Sequence, residues 1–351
     1  MLTLVPGGMG GSETYASALT RSLATTPGVA ATAFVPSNAR GFSSGIPETV
    51  VESVTVKPST TGRLAAVASI VAQTRALRSR MSGADVVHFP FTVVAPKPAG
   101  HQATVQSLLD VQHLELPQMF SKAELLYRRR FYEGAARRAD VVVTISHAAK
   151  ARMVDLLGIS DDRIRVAHLG VDADRFTPNT GERENFVLYP ARGWPHKNHA
   201  RLIEAVALLR IDNPTLRLVL TGGGLDTLGE LPEWVDRRGL VSIDELHRLY
   251  RTASVMAFPS LYEGFGLPPL EAMASGCPVA ASDAGSLPEV VGTAAVLFDP
   301  RDVGDIARGI SEAIARGPEL SAGGMAHAAR FTWQACADVH AEAYAQALAS
   351  R

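Results

Sequence analysis

The chain has 351 residues, enough for two domains that each bury an apolar core. Hydrophobic residues make up 46% and charged residues 20%, as is typical of globular proteins, and no apolar run reaches the ~20 residues of a membrane-spanning helix. A net charge of −1 argues against a general nucleic-acid-binding protein, and 2 cysteines are too few for a disulfide framework or a cysteine-based zinc site.

The N-terminus and the charge distribution bear on location and partners. The opening MLTLVPGGMGGSE lacks the basic region and apolar core of a signal peptide, so we expect a cytoplasmic protein. Lys and Arg exceed Asp and Glu in the first half of the chain, and the reverse holds in the second half. A basic N-terminal half suits an anionic acceptor or peripheral contact with lipid headgroups at the inner membrane face, or is merely solvated.

In the first half, short apolar runs alternate with segments of helical periodicity, which indicates a parallel α/β layer. We expect strands at residues 2–5, 29–35, 50–56, 85–89, 104–109 and 140–145, and helices at 13–24, 64–80, 121–138 and 147–157. Ser146 is placed to cap the last of these helices. The first strand is unusually short, as expected if a few residues before Met1 are missing.

Three features of this half concern ligands. The glycine-rich loop PGGMGGS separates a strand from a helix, as in nucleotide-binding folds, but its spacing does not match GxGxxG and predicts no dinucleotide site. Asp110 and His113 follow the strand at 104–109, and ligands bind at the carboxyl ends of strands in α/β sheets. The arginines of the helix at 121–138 are interpreted first as a solvated face, and alternatively as a contact for a phosphorylated or lipid-linked acceptor.

The same alternation resumes after a polar segment at 172–184, where Pro178 and Gly181 indicate a domain boundary. We expect strands at residues 186–190, 216–220, 254–258, 278–281 and 293–298, and helices at 200–210, 247–250, 303–315 and 334–348. Arg192 and Lys197 follow the first of these strands, where two cations suit a pyrophosphate. Asn198 is expected to cap the next helix. His196 and His199 are a possible metal pair without an evident third ligand, so we expect no metal there.

The most informative stretch is PSLYEGFGLPPLEAMASGCPVAASDAGSLPE, at residues 259–289. Its loop contains Gly264 and Gly266, which let the backbone approach a ligand, and prolines then open a helix whose N-terminus favours an anion. Glu263 lies on the loop and Glu271 is expected in the first helical turn. A carboxylate accepts hydrogen bonds from adjacent hydroxyls, so the two could hold a sugar and a ribose, although either alone would usually be a solvated or helix-capping charge.

The segments EGFGLPPLE, GCPVAAS and SLPEVVG, together with ADVVVTISHAAK and HLGVD, resemble the retaining glycosyltransferases of family 4. The resemblance extends over nearly the whole chain. It implies the α/β GT-B fold, in which two Rossmann-like domains face each other across a cleft and a C-terminal helix crosses back to the first domain. The implied divisions are an acceptor domain at 1–172, a nucleotide-sugar domain at 173–330 and the returning helix at 331–351.

By this resemblance the site residues form two groups. The expected catalytic residues are Asp110, His113, Glu263, Arg192 and Lys197. The expected donor-binding residues are Gly10, Gly11, Gly222, Gly223, Leu240, Val241, Gly264, Phe265, Gly266, Leu267 and Glu271. Leu109 stands where the family has a histidine, which departs from the family pattern. No metal and no cofactor is expected, since the cations and the helix after the loop carry the phosphate charge.

The resemblance implies transfer of a hexose from a nucleotide-diphosphate sugar to a hydroxyl acceptor, such as a growing glycan or a lipid-linked glycan. GDP-mannose and dTDP-rhamnose are the favoured donors, because GGSETY and the DVQH segment are similar to mannosyl- and rhamnosyltransferases of cell-surface polysaccharides. Two alternatives stay open: a sugar-nucleotide epimerase with the same layout, and a non-catalytic protein that only binds the donor. Nucleic acid is not an expected partner.

Overall fold

A computed structural model of the protein describes residues 1–178 and 181–351. The chain divides into two compact units, of which the first comprises Met1–Leu169 and Trp333–Arg351 and the second Gly170–Thr332. The exact domain bounds predicted above, 172/173 and 330/331, stay predictions. Across the described ranges, no helix combines the length and apolar character needed to cross a membrane.

All the strand pairs described in the first unit are parallel. A two-stranded pair is formed by β1 (Ala33–Pro36) and β2 (Glu48–Val51), and a four-stranded sheet has the order β3 (Val86–Phe89), β4 (Ala103–Ser107), β5 (Val141–Thr144) and β6 (Ile164–Val166). Every residue of β4 and β5 is buried. A parallel sheet covered on both faces explains why these strands show apolar runs and no alternation.

The helices of this part of the chain are α1 (Gly11–Leu23), α2 (Thr60–Ala72), α3 (Thr74–Arg80), α4 (Gln112–Glu115), α5 (Lys122–Arg128), α6 (Gly134–Ala136) and α7 (His147–Leu157). Ser146 caps α7 as predicted, because its hydroxyl accepts from the amide of Ala149 at 3.0 Å. The helix predicted at 64–80 is two helices, α2 and α3. The helix predicted at 121–138 contains a π-helical segment, Arg129–Glu133, between α5 and α6.

The strand predicted at residues 2–5 is wrong. This segment forms a turn in which the amide of Leu4 donates to the carbonyl of Met1 at 3.1 Å. Leu2, Leu4 and Val5 are buried, so the apolar run reports burial of side chains and not pairing of the backbone. Apolar runs this short do not distinguish the two cases.

The second unit has one parallel sheet in the order β12-β11-β10-β7-β8-β9. Its strands are β7 (Glu184–Pro190), β8 (Arg217–Thr221), β9 (Val235–Gly239), β10 (Ala253–Phe258), β11 (Val279–Ser282) and β12 (Val296–Phe298). Counted from β7 as the first strand, this is the 3-2-1-4-5-6 order of a Rossmann fold. The strand order reverses between β7 and β10, and ligands of such sheets bind outside the strand ends at this switch point.

The helices of the second unit are α8 (His199–Leu209), α9 (Ile243–Thr252), α10 (Leu267–Ala274), α11 (Leu287–Val291), α12 (Val303–Ala315) and α13 (Gly317–Ala328). The last helix, α14 (Trp333–Ala349), crosses back to the first unit, where it packs on α1, β4 and β5. There the hydroxyl of Tyr15 lies 2.7 Å from Nε2 of His340 and 2.7 Å from Oγ of Ser107. This buried hydrogen-bond network joins α1 and α14 to the sheet.

Candidate active site

The loops after β7 and β10 carry an ion pair at the switch point of the second unit. Lys197 lies in the loop after β7 and Glu263 in the loop after β10, and Nζ of Lys197 donates to Oε1 of Glu263. Each side chain is 13% exposed. The hydroxyl of Tyr189 donates to the carbonyl of Lys197 at 2.6 Å, which fixes the backbone of the cation. The structure thus brings together two of the predicted catalytic residues, which are 66 positions apart in the chain.

Asn198, the next residue, holds these loops together. It has a left-handed backbone, with φ 60°, and its side-chain amide donates to the carbonyls of Pro259 at 3.1 Å and Pro300 at 2.7 Å. The prediction that its side chain caps the following helix is wrong, because that side chain makes no capping hydrogen bond to α8. Its amide instead links the loop after β7 to the loops after β10 and β12, which positions Lys197.

Arg192 is half-buried at the start of the loop after β7. Its guanidinium carbon lies 5.4 Å from the centroid of the Trp194 ring, within the range of a cation–π contact. Trp194 is 51% exposed, so the stacked pair is accessible to a ligand. The prediction that Arg192 and Lys197 share a pyrophosphate is not tested by these contacts and stays a prediction.

Glycines let the loops after β7 and β8 approach each other backbone to backbone. Gly222 has φ 133°, and a β-carbon there would lie 2.3 Å from the carbonyl oxygen of Ala191. A β-carbon at Gly193 would lie 2.1 Å from the carbonyl oxygen of Gly224. The close packing of the two loops therefore requires glycine at position 222. The predicted contact of Gly222 with the donor stays a prediction.

The segment predicted to read the nucleotide base lies just after β9. Leu240 is 79% exposed, and a β-carbon on Gly223 would lie 3.7 Å from its Cδ2 atom. Val241 is half-buried beside it. An exposed leucine over a glycine offers an apolar surface of the kind on which a planar base can lie, and the contact itself remains a prediction.

The loop from Glu263 to Gly266 is held in place by Ser286 and Leu287, at the start of α11. The hydroxyl of Ser286 donates to the carbonyls of Phe265 at 2.8 Å and Glu263 at 3.1 Å. Gly266 has φ 113°, and a β-carbon there would lie 2.6 Å from Cδ2 of Leu287. The loop is therefore preorganised, as a binding site for a transition state requires.

Glu271 lies in the second turn of α10, because the helix begins at Leu267, and the prediction that it lies in the first turn is wrong. The hydroxyl of Tyr250, on α9, donates to its Oε2 at 3.0 Å. Burial raises the pKa of Glu271 to about 7, against the hydrogen bond from Tyr250 and the charge of Arg175, which both lower it. A carboxyl that titrates near neutral pH is typical of functional sites.

In the first unit, the glycine-rich loop folds onto the first helix. A carboxylate oxygen of Glu13 accepts from the amide of Gly7 at 2.9 Å, and the other accepts from Met9 at 3.4 Å. Gly10 precedes α1 with φ 55°, and no atom lies within 4 Å of a β-carbon built on Gly11. There is open space at this loop for a ligand, and the predicted roles of both glycines stay predictions.

Asp110 and His113 lie at the carboxyl end of β4, as predicted from their position. Oδ1 of Asp110 accepts from the amide of Gln112 at 3.1 Å, and the side chain of His113 is buried. Nε2 of His113 lies 3.4 Å from Oε1 of Glu133, which is also buried. Burial lowers the pKa of His113, and the charge of Arg128 acts in the same direction. Among the residues that the structure describes, neither ring nitrogen of His113 has a hydrogen-bond partner, and the catalytic assignment of His113 stays a prediction.

Some supporting residues have no local sequence signal. Tyr189, Tyr250 and Ser286 hold Lys197, Glu271 and the glycine loop through contacts between distant segments. They would be read from the sequence as ordinary strand, helix and loop residues. The long-range hydrogen bonds that give them a role appear only in the folded chain.

Two sequence families together match most of the chain. The family described as glycosyltransferase family 4 matches residues 9–175, and the family described as glycosyl transferases group 1 matches residues 171–322. The division between the two matches falls where the polar segment separates the two halves.

Similar proteins include two that are named as mannosyltransferases. The chain is 30% identical over 267 residues to an O-antigen chain mannosyltransferase B from Escherichia coli, an alignment that covers 69% of this chain and 70% of that protein. It is 32% identical over 231 residues to an MMP alpha-(1->4)-mannosyltransferase from Mycolicibacterium hassiacum, covering 61% of this chain and 56% of that protein. The chain therefore spans little more than half the length of the second relative.

The fold also matches solved structures. Anabaena HepE in complex with UDP-glucose superposes with a TM-score of 0.72 at 20% identity, covering 95% of each chain. At this level of identity the likeness concerns the fold alone, and it confirms the predicted α/β fold with two Rossmann-like domains. The matching families, the E. coli relative and the shared fold show that this chain belongs to the glycosyltransferases of family 4 and has the GT-B fold.

Proposed function

We propose that the chain transfers a hexose from a nucleotide-diphosphate sugar to a hydroxyl of a glycan or lipid-linked glycan, with retention of the anomeric configuration. The observation that carries the proposal is the ion pair between Lys197 and Glu263 at the switch point of the second unit's sheet. A cation and a carboxylate held together at this position suit a ligand that has a phosphate and a sugar side by side.

Lys197 is the group proposed to stabilise the leaving phosphate. An ammonium has three donors, so Lys197 can keep its hydrogen bond to Glu263 and still donate to a pyrophosphate oxygen. As the glycosidic bond breaks, negative charge grows on that oxygen, and a preorganised cation stabilises the transition state more than the ground state. Arg192 supplies a second cation in the same loop, and the N-terminus of α10 adds its dipole.

The two glutamates are proposed to bind hydroxyl groups at opposite ends of the donor. Glu263 has a second carboxylate oxygen with which it can accept from the transferred sugar. Glu271 accepts from the ribose, a role for which its carboxyl must be ionised. The backbone of Gly264, Phe265 and Leu267 would then lie along the diphosphate between them. No metal is required in this scheme, since the cations and the helix carry the phosphate charge.

Mannose, from GDP-mannose, is the proposed sugar, and dTDP-rhamnose is the second choice. Both relatives described above are named as mannosyltransferases, one for an O-antigen chain. The proposed acceptor is therefore a growing surface polysaccharide, bound in the first unit near Asp110, His113, Gly10 and Gly11. A cytoplasmic enzyme with peripheral contact at the inner membrane face would fit this substrate.

Donor identity is best tested by thermal shift with a panel of sugar nucleotides, which includes GDP-mannose, dTDP-rhamnose and UDP-glucose. We expect GDP-mannose to give the largest stabilisation, and the variant Lys197→Ala to reduce it. An NMR time course of the stabilising donor without acceptor then separates three outcomes. Conversion to an epimer, or a donor that is neither hydrolysed in this time course nor transferred once a glycan acceptor is added, would contradict the proposal. Slow hydrolysis with release of the nucleotide diphosphate would support it.

A further inference from the structure

A polar recess lies wholly in the first unit, on the surface shared by α2 and α5. It is lined by Thr60, Arg63, Glu124, Tyr127, Arg128 and Tyr132. It continues into a second recess that is also lined by Arg63 and the two tyrosines and reaches Met9, in the glycine-rich loop. Two guanidinium groups and two phenols therefore face one space beside the loop that precedes α1.

Arg63 is the unusual member of this group. Its Nε atom is buried and has no hydrogen-bond partner among residues 1–178 and 181–351. A buried donor without a partner costs roughly 1–3 kcal/mol, more when it is charged. An anion bound in the recess would supply the acceptor that the buried Nε of the half-buried Arg63 side chain lacks.

Arg128 faces the same recess and is already oriented. Its Nε and Nη2 atoms donate to Oε1 of Glu124, at 3.3 and 3.0 Å, and its guanidinium carbon lies 4.6 Å from the Phe120 ring and 5.3 Å from the Tyr132 ring. Glu124 therefore neutralises part of the charge of the recess, while the aromatic rings fix the plane of the guanidinium. Two arginines against one carboxylate leave a net positive charge.

The surrounding elements favour an anion as well. Arg63 lies in the first turn of α2, a 13-residue helix that begins at Thr60, so the positive end of the helix dipole points toward the recess. The ring of Tyr132 stands edge-on to that of Tyr127, with centroids 5.8 Å apart, and edge-on to that of His113, at 6.2 Å. Tyr132 thus connects the recess to the predicted catalytic end of β4.

We propose that this recess binds a phosphate group carried by the acceptor, with Arg63 and Arg128 as its cationic ligands and the hydroxyls of Tyr127 and Tyr132 as further donors. Guanidinium groups bind phosphate in a bidentate geometry, which fixes orientation as well as charge. The acceptor hydroxyl would then be held at a set distance, toward Asp110 and His113. This inference rests on the proposed function and narrows its acceptor to phosphorylated molecules.

Calorimetric titration of the protein with a hexose 6-phosphate tests the inference. The test variant is Arg63→Gln, and the matched control is Arg75→Gln, an exposed arginine on α3 that does not line the recess. Arg192→Gln controls for binding of the same probe at the donor site of the second unit. Co-sedimentation of the same variants with phosphatidylglycerol vesicles asks whether the phosphate belongs to a lipid headgroup.

We expect Arg63→Gln to weaken binding of the hexose phosphate at least tenfold, while Arg75→Gln leaves it within twofold. An equal loss in Arg192→Gln would assign the probe to the second unit and would overturn the inference. If Arg63→Gln lost binding to the vesicles but kept binding to the hexose phosphate, the result would also support a phosphate site in the recess. It would assign the phosphate to a lipid headgroup. Unchanged binding of both probes in Arg63→Gln, or an equal loss in Arg75→Gln, would overturn the inference. Thermal shift with the donor panel on the same samples reports the proposed function separately, because Arg63 lies outside the second unit.

Discussion

The hydroxyl of Tyr250 donates to Oε2 of Glu271 at 3.0 Å, and the carboxyl that receives this bond has its pKa raised by burial to about 7. The hydrogen bond favours the ionised carboxylate, whereas burial disfavours it. Tyr250 therefore keeps Glu271 partly ionised at neutral pH, where the proposed contact with a ribose requires a carboxylate.

Donor affinity is predicted to rise with pH through the titration of Glu271. Between about pH 6 and 8 the carboxyl becomes ionised, so we expect calorimetry to show tighter donor binding at the higher pH. Glu271→Gln should bind weakly at both pH values. Tyr250→Phe should move the midpoint upward, since it removes a bond that stabilises the ionised form. A midpoint that stays in place in Tyr250→Phe would exclude this coupling.

The same carboxyl predicts how stability depends on pH. Its pKa is higher in the folded chain than the ordinary value of 4.5, so the native state binds more protons than the unfolded state between about pH 4.5 and 7. The contribution of Glu271 to stability is therefore fully present below this window and is lost as pH rises through it. Urea unfolding at pH 5 and pH 8 should show a smaller loss of stability in Glu271→Gln than in the wild type. An identical loss would contradict the prediction.

Replacement of Lys197 by alanine is predicted to lower kcat by about 10²–10³-fold, the usual effect of removing one preorganised charge from a transition state. The acceptor KM should change little, because Lys197 belongs to the second unit. Lys97→Ala, an exposed lysine of the first unit, is the matched control and should retain wild-type kinetics. Steady-state kinetics with the preferred donor measure both parameters, and a kcat near the wild-type value for Lys197→Ala would rule out its role.

Gly222→Ala is predicted to destabilise the second unit strongly, by several kcal/mol. Its φ of 133° is unfavourable for alanine, and the new methyl group would lie 2.3 Å from the carbonyl oxygen of Ala191. Gly83→Ala is the control, because no atom lies within 4 Å of a β-carbon there. Urea unfolding curves measure both variants, and equal stabilities would show that the two loops can separate without cost.

The buried hydroxyl of Tyr15 is predicted to anchor the C-terminal helix. Tyr15→Phe leaves Ser107 and His340 without this partner in a buried site, at a cost of about 1–3 kcal/mol. Hydrogen exchange should accelerate in α14 and not in the helices of the second unit. Thr25→Val, at an exposed hydroxyl that also bonds to α14, is the control and should change exchange little. Unchanged protection of α14 in Tyr15→Phe would count against the anchor.

Several elements with local signals could be predicted from the sequence to within a residue or two, but the strands predicted at 29–35 and 50–56 are Ala33–Pro36 and Glu48–Val51, and the helix predicted at 247–250 is Ile243–Thr252. The helix Val303–Ala315 was predicted with its exact bounds, and the structure adds that Asp302 caps it by accepting from the amides of Gly304 and Asp305. Such periodicity and capping depend on neighbours in the chain. The short apolar segment of Leu2, Leu4 and Val5 misled the prediction, because burial without pairing has the same local pattern as a buried strand.

The sequence by itself determined the family, the alternating α/β plan and the catalytic candidates, since each rests on residues close together in the chain. Only the tertiary structure decided which of them meet: Lys197 with Glu263, Glu271 with Tyr250, and Arg63 with Arg128 across one recess. The physical reason is that burial, ion pairing and pKa shifts arise from groups on different strands and helices. Their distances are set by the packing of the sheets, which no local pattern encodes.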